Sequence, residues 1–475
     1  MRRTKIVATI GPASRSPETL IAMMEAGLDV ARIGMAHGSL EDHLETYQLV
    51  REAAAACNKD IAILIDLPGP KVRCSPFEEG GTRLKDGQAI TIIAGGKSSN
   101  DKVISIDYES VAEDVMIGDQ LALGDGNISL VVDAKEGDKV LGHILRGGLA
   151  QGRPGFQIPS NRLRIGTPTA QDLVYVDAFV KAGADMIAVS FVRSAHDMRS
   201  LGTEPAPKGP LLIAKIETEA AIENLDGIIE FSDAVMVARG DLGLEFPIAE
   251  LPHLQKRIIH ECVARGRPVI TATQMLESMV HSPVPTRAEA TDAANAVFDG
   301  TSAVMLSGES AIGIDPTNAV ATLARIIERA DEEFNQHVWA DVLISEGRRT
   351  SGDVATTTTD AISSAACRVA EEINATAIMC LSRTGFTIRA VSRFRPAQPI
   401  LAVSPDERTI RQLQLSWGTL CEHIADQATT RDTVDLALIN ARDHGHVQTG
   451  DAVVVISGLS AKTKATDTIQ VVLVP

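Results

Sequence analysis

A lysine and a glutamate stand two residues apart at the end of a short apolar run. The run LLIAK ends at Lys215, and Glu217 follows in IAKIE. On an extended chain, side chains two residues apart point to the same side. Another carboxylate, Asp241, follows the next apolar run in ARGDLGLE, where we predict a glycine-rich loop. Two carboxylates can hold Mg²⁺ and a lysine can neutralise a phosphoryl group, so the pattern indicates phosphoryl or enolate chemistry.

Other polar residues also follow apolar runs. Thr273 would place a hydroxyl near a carbon that gains or loses a proton, and Arg32 and Arg73 would surround a phosphoryl group with Lys215. The polar residues at the ends of the runs are Arg32, Asp66, Arg73, Ser190, Arg193, Lys215, Glu217, Arg239, Asp241, Thr273, Ser307 and Glu309. These residues can take part in one reaction only if the fold brings them to one place.

Each of these residues also has a structural interpretation. Asp241 would cap a helix, and Lys215 with Glu217 would form an internal ion pair. Thr273 would be an ordinary strand residue, and the two arginines would form ion pairs at the rim. The residue types alone leave these alternatives open.

Eight apolar runs of strand length carry these polar residues, and helix-period segments separate most of the runs. The runs cover residues 5–10, 29–33, 61–66, 185–190, 211–215, 234–238, 268–272 and 302–306. Eight β-then-α units predict an α/β fold, a (β/α)8 barrel with its chemistry at the carboxyl ends of the strands. An open doubly wound sheet is the alternative.

The alternation of strands and helices is interrupted once, after the third strand. Residues 70–164 change to short alternating runs separated by Gly and Asp, which predicts an inserted all-β lid domain. Pro68 and Pro70 would stiffen its attachment. We therefore predict a catalytic barrel formed by residues 1–69 and 165–340.

Helices and strands alternate again towards the carboxyl terminus. Residues 341–475 predict a third domain, an α/β domain with a largely parallel sheet and a regulatory or oligomerisation role. The segment SEGRRTSGD, residues 345–353, predicts a flexible linker.

Composition excludes several classes of protein. The 475 residues are 44% hydrophobic and 23% charged, as in ordinary globular proteins. A net charge of -17 argues against nucleic-acid binding, and the sequence predicts neither a signal peptide nor a membrane span. The six scattered cysteines suit reduced thiols. We therefore expect a cytoplasmic protein without nucleic-acid or membrane partners.

Long motifs resemble the pyruvate kinase family along essentially the whole chain. They are KIVATIGPAS, IDLPGPKVR, DMIAVSFVR, IAKIE, VMVARGDLGLE, TATQMLESM, PTRAEATDAANAVFDGTSAVMLSGESA and SRFRP. The resemblance implies phosphoryl transfer from phosphoenolpyruvate to ADP, giving pyruvate and ATP in glycolysis. It also implies Mg²⁺, with Mn²⁺ as an alternative ion, and a homotetramer.

The resemblance implies roles for individual residues. Lys215 would neutralise the phosphoryl group in transfer, Glu217 and Asp241 would hold Mg²⁺, and Thr273 would lie near the enolate carbon. The residues implied to contact substrate or nucleotide are Arg32 and Arg73 at the phosphates, Ala238, Arg239, Gly240, Asp241 and Thr273 at the substrate, and Pro12 and His37 on the nucleotide side.

One departure from the family pattern concerns K⁺. The family usually reads Asn-Phe-Ser-His-Gly where this chain reads GMAHG at residues 34–38, so two side chains that help bind K⁺ are missing. Lys71 stands where K⁺-dependent members carry Glu. We hypothesise that Lys71, with Asp66 as a carboxylate to pair with, replaces K⁺. A surface lysine at the lid hinge is the alternative.

Two further features concern phosphate binding. Arg153 would substitute, one residue displaced, for a lysine that the family carries in the lid. The segment SRTGFT resembles the loop that binds a phosphorylated allosteric effector in regulated members, although a helix-capping turn explains the same residues. The loop consists of Ser382, Arg383, Thr384, Gly385, Phe386 and Thr387.

Two other functions stay open at the level of sequence. A Mg²⁺-dependent lyase of 2-oxo acids on a similar barrel would use Glu217 and Asp241, but it would not need the lid, Lys215 or His37. A non-catalytic paralogue is supported only by the altered residues around Gly34, Ala36 and Pro154.

Overall fold

The first elements of the chain build three strands of a parallel barrel. The computed structural model describes residues 2–124, 126, 128–350, 354–458 and 466–475. The elements are β1 (Lys5–Thr9), α1 (Pro17–Ala26), β2 (Val30–Gly34), α2 (Leu40–Ala56) and β3 (Ala62–Asp66). Helix α2 begins at a capping box, in which Ser39 and Asp42 each accept a hydrogen bond from the other's backbone amide. Local sequence thus determines where this helix starts.

The inserted domain follows β3 and packs around its own core. Its elements are β4 (Thr82–Leu84), β5 (Ala89–Ala94), β6 (Val103–Ile106), α3 (Val111–Asp114), β7 (Gln120–Leu123), β8 (Ile128–Glu136), β9 (Lys139–Arg146), β10 (Gly148–Ala150) and β11 (Phe156–Gln157). One sheet has the order β11-β7-β8-β9-β5-β6, and β10 pairs separately with β4. Ile92, Ile104 and Leu130 lie in its apolar core.

The chain then returns to complete the barrel. The elements are α4 (Ala170–Ala182), β12 (Met186–Val189), α5 (Ala195–Arg199), β13 (Leu211–Ile216), α6 (Glu219–Glu223), α7 (Leu225–Glu230), β14 (Ala234–Ala238), α8 (Arg239–Glu245), α9 (Leu251–Ala264), β15 (Val269–Ala272), α10 (Arg287–Phe298), β16 (Ala303–Leu306), α11 (Gly308–Ala311) and α12 (Pro316–Glu333). Within the described residues, eight strands close in the order β1-β16-β15-β14-β13-β12-β3-β2. The predicted (β/α)8 barrel is confirmed.

The strand alternation explains why the polar residues meet inside the barrel. Leu64, Leu211 and Ile213 belong to the buried apolar cluster that fills its interior. Lys215 continues the row of Leu211 and Ile213, and Asp66 continues the row of Leu64. Because residues two apart share a face, both charged side chains form the top layer of the barrel interior.

The third domain carries a five-stranded sheet. Its elements are α13 (Gln336–Thr350), α14 (Val354–Glu372), β17 (Ala377–Leu381), α15 (Phe386–Ser392), β18 (Ile400–Ser404), α16 (Glu407–Gln412), β19 (Thr419–His423), α17 (Thr430–Asp443), β20 (Ala452–Ser457) and β21 (Thr468–Leu473). The order is β19-β18-β17-β20-β21, and β21 runs antiparallel to β20 while the other neighbours are parallel. The predicted α/β domain is confirmed.

The prediction of a flexible linker at residues 345–353 is wrong for the part that the structure describes. Residues 345–350 belong to α13, and 351–353 lie outside the described residues. The predicted domain boundary at residue 340 also falls within this helix. Trp339, near its start, donates an indole hydrogen bond to the carbonyl of Arg393 at 2.9 Å. This contact anchors the helix, which a polar composition alone did not reveal.

The third domain closes the amino-terminal end of the barrel. Leu415 lies in the same buried cluster as the barrel interior, and Arg411 pairs with Asp185 at 2.9 Å. The carboxyl rim is therefore left to face the lid. Among the described residues, no helix is both long and apolar enough for a bilayer span.

Candidate active site

A buried lysine stands between two carboxylates at the carboxyl rim. Lys215 Nζ lies 3.5 Å from Asp66 Oδ1 and 3.4 Å from Glu217 Oε2. It also donates a hydrogen bond to Ser190 Oγ at 2.7 Å. Arg32 Nε donates to Asp66 Oδ2 at 2.6 Å. The strand ends therefore bring two cations and two carboxylates into one connected network.

The network keeps its central pair charged. Burial lowers the pKa of Lys215, but Asp66 and Glu217 raise it by more, so the net shift is upward. Burial raises the pKa of Asp66, but Lys215 and Arg32 lower it by more. Lys215 is therefore a cation and Asp66 an anion at neutral pH.

Asp66 has partners other than the predicted Lys71. Its two oxygens are engaged by Arg32 and Lys215. Lys71 is exposed at the base of the lid, and its Cε lies 2.9 Å from where a Cβ on Gly155 would stand. Lys71 nevertheless lines the same cavity as Asp66. Both oxygens of Asp66 are therefore already paired with cations of the barrel interior, and its pairing with Lys71 stays a prediction.

Glu217 and Asp241 line a small cavity between the barrel and the lid. Glu217 Oε1 accepts a hydrogen bond from the amide of Phe191 at 2.6 Å. Its other oxygen is buried and makes no hydrogen bond to the described residues, although the Lys215 ammonium group lies 3.4 Å away. Asp241 Oδ1 accepts one long bond, at 3.3 Å, from Gln157 of the lid. Both carboxylates thus have spare acceptor capacity.

Electrostatics oppose the ionised form of Glu217. Burial raises the pKa of Glu217, Lys215 lowers it and Asp241 raises it again, so that the net shift is upward. Two carboxylates near one cavity repel each other. A cation between them would relieve that repulsion, which is the behaviour expected of metal ligands.

The predicted glycine-rich loop around Asp241 is wrong, because Asp241 lies in the first turn of α8. The guanidinium of Arg239 donates to the carbonyls of Ala272 and Thr273, at 3.3 and 2.5 Å. It also pairs with Asp292 at 2.7 Å. These contacts hold the helix start directly against the end of β15. The Arg239 side chain therefore supports the rim.

Thr273 has an unusual backbone conformation beside this helix. Its φ is 69°, a left-handed value that is costly for a β-branched residue. Thr273 Oγ1 accepts a hydrogen bond from the amide of Gly240 at 2.9 Å and donates one to the carbonyl of Ala272 at 2.6 Å. Both contacts hold its hydroxyl at the rim.

One cavity of about 150 Å³ joins most of the predicted residues. The residues that line it are Arg32, Gly34, Ala36, Asp66, Leu67, Pro68, Lys71, Ser190, Phe191, Lys215, Met236, Ala238, Asp241, Thr273, Met305 and Ser307. Asp241 lines both cavities, so the pocket around Lys215 adjoins the one beside Glu217. A small anionic substrate would meet cations and carboxylates at once.

The remaining barrel predictions lie outside the lining of this cavity. Arg73 donates to the carbonyl of Ala36 at 3.1 Å. His37 is exposed, and burial together with Arg73 and Lys71 lowers its pKa. Pro12 is exposed in the connection between β1 and α1.

The predicted lid and effector residues have mainly local partners. Arg153 donates to the carbonyl of Cys74 at 3.4 Å and lies 3.7 Å from Asp107. In the effector loop, which follows β17, Arg383 pairs with Asp426 at 2.5 Å. Ser382, Thr384 and Gly385 complete the segment before α15, with Gly385 at a left-handed φ of 74°, and Phe386 and Thr387 lie in the first turn of that helix.

Sequence reasoning missed the contacts that dock the lid. Ser160 donates from its amide and its hydroxyl to Glu245, at 3.0 and 2.7 Å. Gln157 reaches Asp241, as described above. The partners are more than eighty residues apart in sequence, and neither pair has a recognisable local spacing. The lid thus rests on the helix that carries Asp241.

A closed barrel whose rim holds a lysine between two carboxylates, beneath a β-rich lid, places the chain in the class of barrel enzymes that act at the carboxyl ends of their strands. The comparisons are more specific. The pyruvate kinase barrel domain matches residues 1–320, and the pyruvate kinase alpha/beta domain matches residues 360–472. The chain belongs to the pyruvate kinase family and is a phosphotransferase.

Individual relatives agree over nearly the whole chain. A pyruvate kinase of Clostridium acetobutylicum is 38% identical, covering 98% of each chain. Pyruvate kinase 2 of Synechocystis is 40% identical, covering 100% of this chain and 79% of its own. A crystal structure of a pyruvate kinase from Cryptosporidium parvum has a TM-score of 0.90 at 33% identity, with 100% of this chain and 96% of that chain covered.

Proposed function

We propose that the chain transfers the phosphoryl group of phosphoenolpyruvate to ADP in a Mg²⁺-dependent reaction, giving pyruvate and ATP in glycolysis. The observation that carries the proposal is the buried Lys215, which faces the rim cavity between Asp66 and Glu217. A lyase acting on 2-oxo acids would not need this lysine to neutralise a phosphoryl group.

The lysine would act on the phosphoryl group in transit. Because Asp66 and Glu217 hold Lys215 protonated, its charge is available without proton uptake. Ser190 fixes the direction of the ammonium group. The P–O bond to the enol oxygen breaks while a bond to a terminal oxygen of ADP forms, and the enolate of pyruvate remains. Arg32 and Arg73 would bind the phosphates.

The residues beside Lys215 fit a divalent cation. Glu217 Oε2 makes no hydrogen bond to the described residues, and Asp241 lines the same cavity. We propose that these two carboxylates hold Mg²⁺, with Mn²⁺ as an alternative ion. When bound, the ion neutralises charge on the transferring phosphoryl oxygens.

Protonation of the enolate would complete the reaction. Thr273 would hold a water molecule near the enolate carbon, and that carbon takes up a proton as the enolate becomes the ketone. Ala238, Arg239 and Gly240 would position the substrate carboxylate through the rim after β14. The stable ketone then draws the transfer forward. Pro12 and His37 would contact the nucleotide.

Replacement of Thr273 by alanine is expected to lower kcat by about 10²-fold, the usual size of a lost proton-transfer contact. The hydroxyl that positions the proton donor disappears, and the amide of Gly240 loses its acceptor. A coupled assay of pyruvate formation measures the effect. Thr273→Ser retains the hydroxyl and should recover most of the rate. Equal losses in both variants would contradict a role for the hydroxyl.

Activity without K⁺ is expected because Lys71 lines the cavity. We propose that its ammonium group supplies the positive charge that K⁺ supplies in other members. With Mg²⁺ present, kcat/KM in tetramethylammonium chloride should stay within about twofold of its value in KCl. Strict dependence on added K⁺ would refute the proposal.

Lys71→Gln provides the matching variant. Its kcat/KM for phosphoenolpyruvate in tetramethylammonium chloride should fall by about 10-fold or more, because a cation near the phosphates is lost. Lys181 pairs with Asp177 on exposed α4, so Lys181→Gln is the control and should not change the rate. If Lys71→Gln also left it unchanged, Lys71 would be only a hinge residue.

The decisive assay couples pyruvate formation to lactate dehydrogenase, with phosphoenolpyruvate, ADP and Mg²⁺ supplied. Turnover that requires all three supports the proposal. No turnover at any Mg²⁺ or K⁺ concentration would favour a non-catalytic paralogue. The effector loop, the Arg153 substitution, the homotetramer and the cytoplasmic location stay predictions.

A further inference from the structure

Three side chains with metal-ligating atoms meet in the C-terminal domain. Glu422 lies on β19, at one edge of the sheet, and His444 and His446 follow α17. The ligand atoms of the three residues all lie within 4.8 Å of one another. His444 Nδ1 is 2.8 Å, and His446 Nε2 is 3.9 Å, from Glu422 Oε1. Two imidazoles therefore approach one carboxylate oxygen.

The backbone holds both histidines in place. Gly445 has a left-handed φ of 77°. The amide of Gly445 donates to the carbonyl of Arg442 at 2.9 Å, and that of His446 donates to the carbonyl of Ala441 at 2.8 Å. This pair of bonds is a Schellman motif, which ends a helix in a defined geometry. The two imidazoles thus project from a preformed turn.

The carboxylate is held by a different element. Glu422 is 9% exposed, and its strand is paired with β18 along residues 419–423. The side chains of His444 and His446 are 58% and 30% exposed. The inner side of the cluster is thus a buried carboxylate, and its outer side is open to solvent.

An ordinary ion pair is the alternative explanation, and the lid provides an example. His143 Nδ1 lies 2.8 Å from Asp133 Oδ2, the same separation as between His444 and Glu422. That pair consists of one imidazole and one carboxylate. The C-terminal cluster differs because His446 approaches the same oxygen from a second direction, which an ion pair does not require.

We propose that Glu422, His444 and His446 form a binding site for a first-row divalent transition metal ion, with Zn²⁺ as the best fit. Two imidazole nitrogens and one carboxylate oxygen are a typical ligand set for Zn²⁺, and the open side leaves a position for water. Ligands about 2.0–2.2 Å from a tetrahedral ion lie about 3.4 Å from one another. The 2.8 and 3.9 Å separations lie on either side of that value.

The site differs chemically from the rim of the barrel. Hard oxygen ligands suit Mg²⁺, whereas imidazoles suit Zn²⁺, Ni²⁺ and Cu²⁺. A bound ion would tie the end of α17 to β19. Because binding to the folded state alone stabilises that state, the ion would stabilise the C-terminal domain against unfolding.

The test is a titration of the full-length chain with Zn²⁺ against a chromophoric chelator, in excess Mg²⁺ to saturate oxygen-ligand sites. We expect one Zn²⁺ site that weakens by about 100-fold or more in His446→Asn and in Glu422→Gln, since each removes a direct ligand. His143→Asn is the matched control, because it breaks a histidine–carboxylate pair that lacks a third ligand, and it should bind Zn²⁺ like the parent chain.

Thermal unfolding gives a second measurement. Zn²⁺ at 100 times its Kd should raise the Tm of the parent chain by about 5 °C or more, and should raise that of His446→Asn by much less. Unchanged Zn²⁺ affinity in both ligand variants would show that the cluster is only an ion pair. An equal loss in His143→Asn would assign the binding to scattered surface histidines and overturn the proposal.

Discussion

Replacement of Lys215 by methionine is expected to lower kcat for pyruvate formation by about 10³-fold or more. Methionine has a similar length and no charge, so the phosphoryl group in transit would lose its buried cation. Because the site is shielded from water, that charge is worth far more than an exposed one. The measurement is the coupled assay at saturating phosphoenolpyruvate, ADP and Mg²⁺.

The same substitution also changes the carboxylates. Without Lys215, Asp66 would keep its ion pair with Arg32, and the pKa of Glu217 should rise further because the Lys215 charge is the largest influence that lowers it. Mg²⁺ affinity should therefore be measured in the variant. If Mg²⁺ saturates the variant and kcat stays low, the loss belongs to phosphoryl transfer itself.

Lys256→Met is the control for this prediction. Lys256 pairs with Asp299 from the exposed face of α9, away from the rim, so its loss removes a lysine charge without touching the cavity. Its kcat should stay within about twofold of the parent value. Parent-like turnover in Lys215→Met would remove the lysine from the mechanism.

Glu217→Gln and Asp241→Asn are expected to weaken Mg²⁺ binding by about 100-fold or more. Loss of an outer-shell partner already costs about 10- to 100-fold, and these residues are proposed as direct ligands. Each amide keeps the shape of the side chain but removes its negative charge. The measurement is the Mg²⁺ concentration that gives half-maximal rate, together with direct titration of Mn²⁺ binding.

Protons compete with Mg²⁺ for Glu217, so we also predict a pH dependence of Mg²⁺ binding. Because the pKa of Glu217 is raised, its protonated form persists to higher pH than usual, and protons compete with the metal ion. Mg²⁺ affinity of the parent chain should therefore fall as pH is lowered. In Glu217→Gln that part of the pH dependence should vanish, whereas a variant that merely loosened the fold would keep it.

Glu245→Gln is a matched control carboxylate. Glu245 lines the same cavity as Asp241, but its oxygens accept hydrogen bonds from Ser160 of the lid. Its substitution should change lid docking while Mg²⁺ affinity stays within a few fold. A loss equal to that in Asp241→Asn would mean that the helix, and not the carboxylate, sets metal affinity.

Much of the fold could be predicted from the chain. Eight apolar runs predicted eight barrel strands because buried parallel strands must be apolar on both faces. The short alternating runs predicted the lid because strands with one face in the core and one in water alternate apolar and polar residues. The linker prediction was wrong for residues 345–350, which belong to α13, because a polar composition by itself does not exclude a helix.

For the site, the sequence predicted mainly which residues belong to it. Lys215, Glu217 and Asp241 could be named because each follows a strand, and strand ends meet at one rim. Of the pairs that they form, the sequence suggested only that of Lys215 with Glu217, two residues away. Asp66 was assigned to nearby Lys71, but it pairs with Arg32 and Lys215, which are 34 and 149 residues away along the chain.

The amino-acid sequence by itself determined the barrel, the inserted lid, the third domain and the set of polar residues at the strand ends, because periodicity and local residue type are properties of neighbours along the chain. The tertiary structure alone decided which charge meets which, that α8 presents Asp241 to Gln157 of the lid, and that Glu422 lies beside two histidines from another element. Ion pairs, burial and pKa shifts depend on distances in space, and closure of the barrel sets those distances.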